Sequence, residues 1–140
     1  MIPEELLLRL EHVGIAVHDA SASIRVFQSL FGRTPYKTED VVSEGVRTHF
    51  IDAGPTKIEL LEALDPDSAL GRHLATRGQG LHHLAFEVPD LAAAHARLTE
   101  AGFRLLGQPK AGADGKMIFF VHPKDTNGVL IELCASRDGE

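Results

Sequence analysis

Short runs of apolar residues alternate with polar ones along the chain, and one arrangement of runs occurs twice. The first copy reads HVGIAV followed by HDASASIRVFQSLFG, over residues 12–32. The second reads HLAFEV followed by PDLAAAHARLTEAG, over residues 83–102. In both, an apolar run of strand length precedes apolar residues at helical spacing. The pattern therefore predicts a strand and then a helix in each half.

The ends of both helices are also marked in the sequence. Asp19 and Asp90 each follow the strand by two residues, where a side chain can accept hydrogen bonds from the first free N–H groups of a helix. Gly32 and Gly102 stand where a left-handed helix stop is expected. The residues at helical spacing are Ile24, Phe27 and Phe31 in the first helix, and Leu91, Ala94 and Leu98 in the second.

Later parts of the two halves match as well. TKIELLEAL at residues 56–64 resembles VLIELCAS at residues 129–136, and both contain Ile-Glu-Leu. Each half has room for two further strands, of which residues 46–52 and 117–122 are the clearest. The predicted fold class is α+β, with two tandem βαβββ modules at about residues 8–66 and 79–136 in one domain of residues 1–140.

Composition narrows the classes of partner. The 140 residues carry a net charge of −6, which argues against nucleic acid or an anionic membrane surface. The single cysteine, Cys134, allows no internal disulfide. The start of the chain lacks the features of a secretory signal, and no apolar run is long enough to span a membrane. We expect a cytoplasmic protein.

One histidine and one glutamate occupy equivalent strands in each half: His12 and His83 on the first strand, and Glu59 and Glu132 on the last. Such side chains are costly to bury in apolar strands unless they are paired or coordinated. If the halves fold alike and pack face to face, the four side chains meet at one site. Two imidazoles and two carboxylates suit divalent Co, Ni, Zn, Mn or Fe and leave positions open for substrate.

The motif GLHHLAFEV contains two adjacent histidines, whose side chains point to opposite faces of a strand. The repeat aligns His83 with His12. His82 is therefore expected to lie on the other face, either in packing or in contact with a residue that supports a ligand.

Three stretches carry a family resemblance: LEHVGIAV, GLHHLAFEVPDL and FVHPKDTNGVLIEL. Together with the tandem βαβββ pattern they resemble the vicinal oxygen chelate superfamily, which includes glyoxalases, bleomycin resistance proteins and dioxygenases. Within it the chain is most similar to the methylmalonyl-CoA epimerases. The resemblance covers nearly the whole chain and implies a cupped, barrel-like mixed sheet around a metal site.

The resemblance also implies an activity, the interconversion of (R)- and (S)-methylmalonyl-CoA through a metal-stabilised enolate. The implied metal ligands are His12, Glu59, His83 and Glu132. Cobalt is the expected ion, with Ni, Mn or Zn as alternatives. The implied partners are a small acyl-CoA substrate and a second copy of the chain in a homodimer.

Epimerisation requires one proton to leave the α-carbon and another to return on the opposite face. Glu132 is the first candidate for this role. Glu59, Thr48 acting through water, and His49 are the candidates for the opposite face. Some epimerases resemble this chain but carry a glutamate where Thr48 stands. Strand alternation places Thr48 and His49 on different faces, and places Glu62, as a surface residue, opposite to Glu59.

The phosphates of coenzyme A require cations. Three lysines lie in PKAGADGKMIFFVHPKD, namely Lys110, Lys116 and Lys124. Lys116 and Lys124 are the predicted substrate contacts, and His122 is expected to be structural.

Two other enzymes of the same superfamily remain as alternatives. Glyoxalase I uses a similar metal set and also moves a proton beside a carbonyl, but the ending HPKDTNGVLIEL favours the epimerase. An extradiol dioxygenase uses two histidines and one carboxylate, and a fourth protein ligand at Glu59 argues against it. A metal-dependent resistance protein or a plain binding module is the non-catalytic alternative.

Overall fold

The computed structural model describes residues 9–137. The chain divides into two compact units, which we call the N-terminal unit (His12–His82) and the C-terminal unit (Met1–Glu11 with His83–Glu140). The opening segment and the predicted start of the first module at residue 8 lie outside the described residues. Within residues 9–137, the helices are too short or too polar to cross a membrane.

The N-terminal unit follows the predicted order of elements. Its strands and helices are β1 (Arg9–Ala16, from His12 onward), α1 (Ala20–Phe31), β2 (Lys37–Val41), β3 (Val46–Ala53), β4 (Thr56–Ala63) and α2 (Ala69–Arg77). The strands lie in the order β2-β3-β4-β1. β1 runs parallel to β4, whereas β3 is antiparallel to both of its neighbours.

The C-terminal unit repeats this arrangement. Its elements are β5 (Gly80–Glu87, from His83 onward), α3 (Leu91–Glu100), β6 (Leu105–Ala111), β7 (Lys116–Val121) and β8 (Ile131–Ser136). The strands lie in the order β5-β8-β7-β6, with β5 parallel to β8 and the other two pairs antiparallel. The prediction of two βαβββ modules is therefore confirmed element by element.

Three of the four predicted helix caps are present, whereas α3 ends on Ala101 in the right-handed region and Gly102, with a φ of 92°, lies one residue further on. The Asp19 carboxylate accepts a hydrogen bond from the Ala22 N–H at 3.1 Å, and Asp90 accepts one from the Ala93 N–H at 3.0 Å. Gly32 ends α1 with a φ of 67°, in the left-handed region where a residue without Cβ is favoured.

In each unit, one helix covers one face of the four strands. In the N-terminal unit, α1 contributes Ala20 to a cluster with Val17, Ile51 and Leu60, against which Ile24 and Phe27 also pack. In the C-terminal unit, a larger cluster joins α3 to the sheet, made of Val88, Leu91, Ala94, Leu98, Phe119, Val121, Leu133 and Ala135. Phe31, at helical spacing with Ile24 and Phe27, remains exposed at the end of α1.

The helix α2 has no counterpart in the predicted modules. Ser68 caps its first turn by accepting a hydrogen bond from the Gly71 N–H at 3.0 Å. Leu70 and Leu74, one turn apart, are buried against Ala16 and Leu61 on the face of the sheet that α1 does not cover. Two large apolar residues among the nine of this helix are too few for a helical pattern to stand out in the sequence.

Candidate metal site and its surroundings

His12 and Glu59 form a buried pair in the N-terminal unit. Glu59 lies opposite Gly14 in the parallel β1–β4 register, so the side chains of His12 and Glu59 share one face of the sheet. His12 Nδ1 is 3.1 Å from Glu59 Oε2, and both residues are at most 5% exposed.

His83 and Glu132 form the equivalent pair in the C-terminal unit. Glu132 lies opposite Ala85 in the parallel β5–β8 register, two residues along β5 from His83. His83 Nε2 is 3.2 Å from Glu132 Oε1, and both residues are at most 6% exposed. In both units the pair lies on the face of the sheet that is turned away from the clusters around α1 and α3.

The donor atoms of both pairs fit a metal ion. Within each pair the ligand atoms lie within 4.8 Å of each other and are buried, as required of side chains that could hold an ion. Imidazole nitrogen and carboxylate oxygen suit Co, Ni, Mn and Zn, and do not select among them. Each unit thus brings together the histidine and the glutamate that the repeat placed on its first and last strands.

Thr48 lies on the same face as Glu59. In the antiparallel β3–β4 register Phe50 is opposite Glu59 and Thr48 is opposite Leu61, so Thr48 is one diagonal position from the carboxylate. Thr48 is only 2% exposed. Of the two residues that strand alternation placed on different faces, Thr48 is therefore the one that shares a face with Glu59.

His49 lies on the opposite face of the same sheet. Its Nε2 is 3.1 Å from Glu62 Oε1, and its Nδ1 is 3.2 Å from the Thr38 hydroxyl. This arrangement removes His49 from the candidates for proton transfer beside Glu59. It also corrects the expectation that Glu62 is a simple surface residue, because its side chain is 28% exposed and is held by His49.

The lysines predicted to contact coenzyme A have different surroundings. Lys116 Nζ is 3.0 Å from Glu87 Oε2, and both side chains are 17% exposed. Arg9 Nε lies 3.2 Å from the other oxygen of Glu87. Lys124 is exposed in the short 3₁₀ helix Pro123–Asp125, and Lys110 Nζ lies 6.0 Å from the centre of the Phe120 ring. Lys124 is thus the more accessible of the two predicted contacts.

Two histidines outside the pairs have packing or capping contacts, as expected. The His82 ring lies 4.8 Å from the ring of His73 on α2, edge to face. His122 Nδ1 accepts a hydrogen bond from the Lys124 N–H at 3.1 Å and caps the 3₁₀ helix.

Sequence reasoning missed two buried side chains of the C-terminal unit, the Glu11 carboxylate and the Cys134 thiol. Glu11 is 2% exposed, and its Oε2 lies 3.6 Å from an Arg9 nitrogen. Cys134, on the same face as Glu132, has its pKa strongly raised by burial and by the negative charges of Glu132 and Glu11. The sequence signal for Glu11 was its position next to His12, but a charged residue near the polar start of a strand does not predict burial.

Comparison with known proteins points to one family. The chain matches the glyoxalase/bleomycin resistance protein/dioxygenase superfamily over residues 11–120. It is 44% identical over 128 residues to the ethylmalonyl-CoA/methylmalonyl-CoA epimerase of Cereibacter sphaeroides, which covers 89% of this chain and 96% of that protein.

Solved structures agree with the sequence comparison. A variant of the Streptomyces coelicolor methylmalonyl-CoA epimerase in complex with 2-nitronate-propionyl-CoA has a TM-score of 0.89 and 38% identity, over 94% of this chain and 99% of that one. A methylmalonyl-CoA epimerase in complex with methylmalonyl-CoA and NH4+ has the same TM-score and identity, over 96% and 98%. The similarity confirms the fold predicted from the repeated pattern.

Proposed function

Because the chain belongs to the glyoxalase/bleomycin resistance protein/dioxygenase superfamily and, within it, to the methylmalonyl-CoA epimerases, we propose that it interconverts (R)- and (S)-methylmalonyl-CoA. One observation carries the proposal. A buried His–Glu pair occurs at the same strand positions in both units of a chain whose relatives are named for this activity. A fold alone would not be sufficient, because this superfamily supports several chemistries.

The proposed metal ligands are His12, Glu59, His83 and Glu132, and cobalt is the proposed ion. The chemistry of the donors supports this assignment, since nitrogen and carboxylate oxygen ligands suit such an ion and the unfavourable burial of these polar groups would be offset by coordination. A divalent cation bound there supplies Lewis-acid stabilisation of negative charge that develops on the thioester oxygen.

Glu132 is the proposed base that removes the α-proton of the substrate. Its carboxylate is one of the two buried groups of the C-terminal pair, and His83 holds one of its oxygens at 3.2 Å. A carboxylate fixed in this way can face a substrate carbon without rotating away, which favours proton transfer along one direction.

Thr48 is the proposed group for the opposite face, acting through a water molecule, and Glu59 is the alternative. The hydroxyl is buried on the same face as Glu59 and can both donate and accept a hydrogen bond. Thr48→Val keeps the shape and removes the hydroxyl. We expect kcat to fall by about 10- to 100-fold with little change in folding stability. If kcat for epimerisation is unchanged in this variant, Glu59 remains as the second group.

The remaining parts of the proposal concern partners and location. Lys124 and Lys116 are proposed contacts of coenzyme A, with Lys124 placed in the exposed 3₁₀ helix and Lys116 already paired with Glu87. We also propose a homodimer in the cytoplasm, as the family resemblance implies.

Deuterium exchange tests the proposed activity directly. The protein is incubated with methylmalonyl-CoA in D₂O, and loss of the α-proton signal is followed by NMR with and without a chelator. We expect rapid exchange that the chelator stops and added Co²⁺ restores. A parallel assay with the hemithioacetal of methylglyoxal and glutathione separates the epimerase from glyoxalase I. Turnover of the hemithioacetal without exchange in methylmalonyl-CoA would overturn the proposal.

A further inference from the structure

Phe120 lies beside the proposed base in the C-terminal unit. It is directly opposite Glu132 in the antiparallel β7–β8 register, so the two side chains share one face. Side chains at such positions have Cβ atoms about 4.5–5.5 Å apart. An atom that is held against the Glu132 carboxylate is therefore within reach of the Phe120 ring.

Phe120 is also the accessible neighbour of Glu132. Ala85, opposite Glu132 on β5, and Cys134, the next residue on the same face of β8, are both 0% exposed. Phe120 is only partly buried. Of these three neighbours, only the phenylalanine ring presents surface to a bound molecule.

The position of the ring is supported from two sides. Its centre lies 5.8 Å from that of the His83 ring, with the planes at 87°, an edge-to-face contact. Lys110 Nζ lies 6.0 Å from the ring centre. A side chain supported in this way offers a wall of defined shape, because displacing it would disturb one of the proposed metal ligands.

The equivalent residue of the N-terminal unit has no such access. Phe50 is opposite Glu59, as Phe120 is opposite Glu132, but it is 0% exposed. Lys37 and Lys57 lie 4.8 and 5.4 Å from its ring centre. Its surroundings make it a core residue.

We propose that Phe120 limits the size of the substituent on the α-carbon of the malonyl thioester, and so sets the preference between methyl and larger groups. This inference rests on the proposed function, since it takes Glu132 as the group that meets the α-carbon. If the base lies beside the α-carbon, the substituent comes within reach of the Phe120 ring, which is opposite Glu132 and partly exposed. One methylene in an apolar pocket changes kcat/KM by about 10- to 200-fold, so a single ring is sufficient to decide between homologous substrates.

The test compares methylmalonyl-CoA with ethylmalonyl-CoA in wild type, Phe120→Leu and Phe120→Ala. The readout is the ratio of the two kcat/KM values for α-proton exchange, which a general loss of folded protein leaves unchanged. We expect the ratio to rise in favour of ethylmalonyl-CoA by about 10-fold or more in Phe120→Ala, and by less in Phe120→Leu. The matched control is Phe50→Leu, which should keep the wild-type ratio even if both rates fall.

The inference and the proposed function can fail separately. If wild type exchanges the α-proton of neither thioester, the proposed function is overturned and the inference falls with it. If wild type is active but the ratio stays within about twofold in both Phe120 variants, the inference alone is overturned. Folded Phe120 variants that turn over neither thioester would also overturn it, because the ring would then support His83 and not select the substituent.

Discussion

The two units keep the same His–Glu pair but surround it differently. In the N-terminal unit, the residue two positions after Glu59 is Leu61, which shares its face and lies opposite Ala16. In the C-terminal unit, the residue two positions after Glu132 is Cys134, which lies opposite Glu87. The N-terminal positions are apolar and are covered by Leu70 and Leu74 of α2.

The C-terminal unit has ion pairs at the corresponding place. Val46 precedes Phe50 on β3 by four residues, and Lys116 precedes Phe120 on β7 by four residues. At these equivalent positions Val46 is apolar, whereas Lys116 is paired with Glu87. A duplicated fold has therefore kept its proposed ligands while the surrounding residues diverged. The proposed function also gives the two carboxylates different roles, since Glu132 is the proposed base, whereas Glu59 is a proposed ligand and only the alternative to Thr48 as the second group.

The strongest test of this difference exchanges each carboxylate for an amide. In Glu132→Gln we expect kcat to fall by about 1,000-fold or more, because a base that contributes 10²- to 10⁴-fold is lost along with a ligand charge. In Glu59→Gln we expect a loss of about 10-fold, since an amide oxygen can still coordinate. Equal losses of kcat, measured by the rate of α-proton exchange, would contradict the division between the units.

Substitution of the two adjacent histidines, His82 and His83, should give the next largest difference. His83→Ala should weaken metal binding by at least about 10- to 100-fold, because it removes a direct ligand. His82→Ala should keep metal and activity, since His82 contacts His73 on α2. Titration with Co²⁺, monitored by its visible absorption, gives both affinities. Similar losses in the two variants would contradict the alignment of His83 with His12.

A smaller effect is expected on stability at the position where the units differ. Lys116→Ala removes the 3.0 Å partner of Glu87 while Arg9 stays 3.2 Å from the other oxygen, and it should lower the free energy of unfolding by about 1–2 kcal/mol. The matched variant Val46→Ala removes only apolar contact and should lower it by about 1 kcal/mol. Urea denaturation measures both. If Lys116→Ala proves the milder change, the ion pair does not stabilise the C-terminal unit.

The smallest effect concerns surface ion pairs. Arg104 donates hydrogen bonds to Asp125 from its side chain and backbone, and these lower the pKa of Asp125 to about 2 from 3.8. The stability that this carboxylate contributes is fully present above pH 3.8 and is lost as pH falls through about 2. In Arg104→Ala the titration midpoint, followed by NMR, should rise toward 3.8. Arg47 lowers the pKa of Asp40 in the same way in the N-terminal unit.

Much of the fold could be predicted because the halves repeat. The predicted strands near residues 46–52, 56–64 and 117–122 correspond to β3 (Val46–Ala53), β4 (Thr56–Ala63) and β7 (Lys116–Val121). Alternating patterns and Asp caps are local signals that act over a few residues. The short helix α2 was missed because its burial depends on Leu70 and Leu74 meeting a sheet that is distant in sequence.

The candidate site was predicted less completely than the fold. The repeat placed a histidine on the first strand and a glutamate on the last strand of each half, which are β1 and β4, and β5 and β8. The His49–Glu62 contact and the Lys116–Glu87 ion pair did not follow from the repeat, because they depend on strand register and side-chain reach. Register cannot be read from alternation alone, which fixes the face but not the cross-strand partner.

The number of metal ions bound per chain tests the central claim most directly. The protein is loaded with Co²⁺, freed of excess ion, and analysed for metal and protein content. If one ion is bound by both pairs, the wild-type protein should contain one Co²⁺ per chain. His12→Ala and His83→Ala should each lose that ion. Two ions per chain, or one ion that persists in either variant, would contradict the proposed set of four ligands.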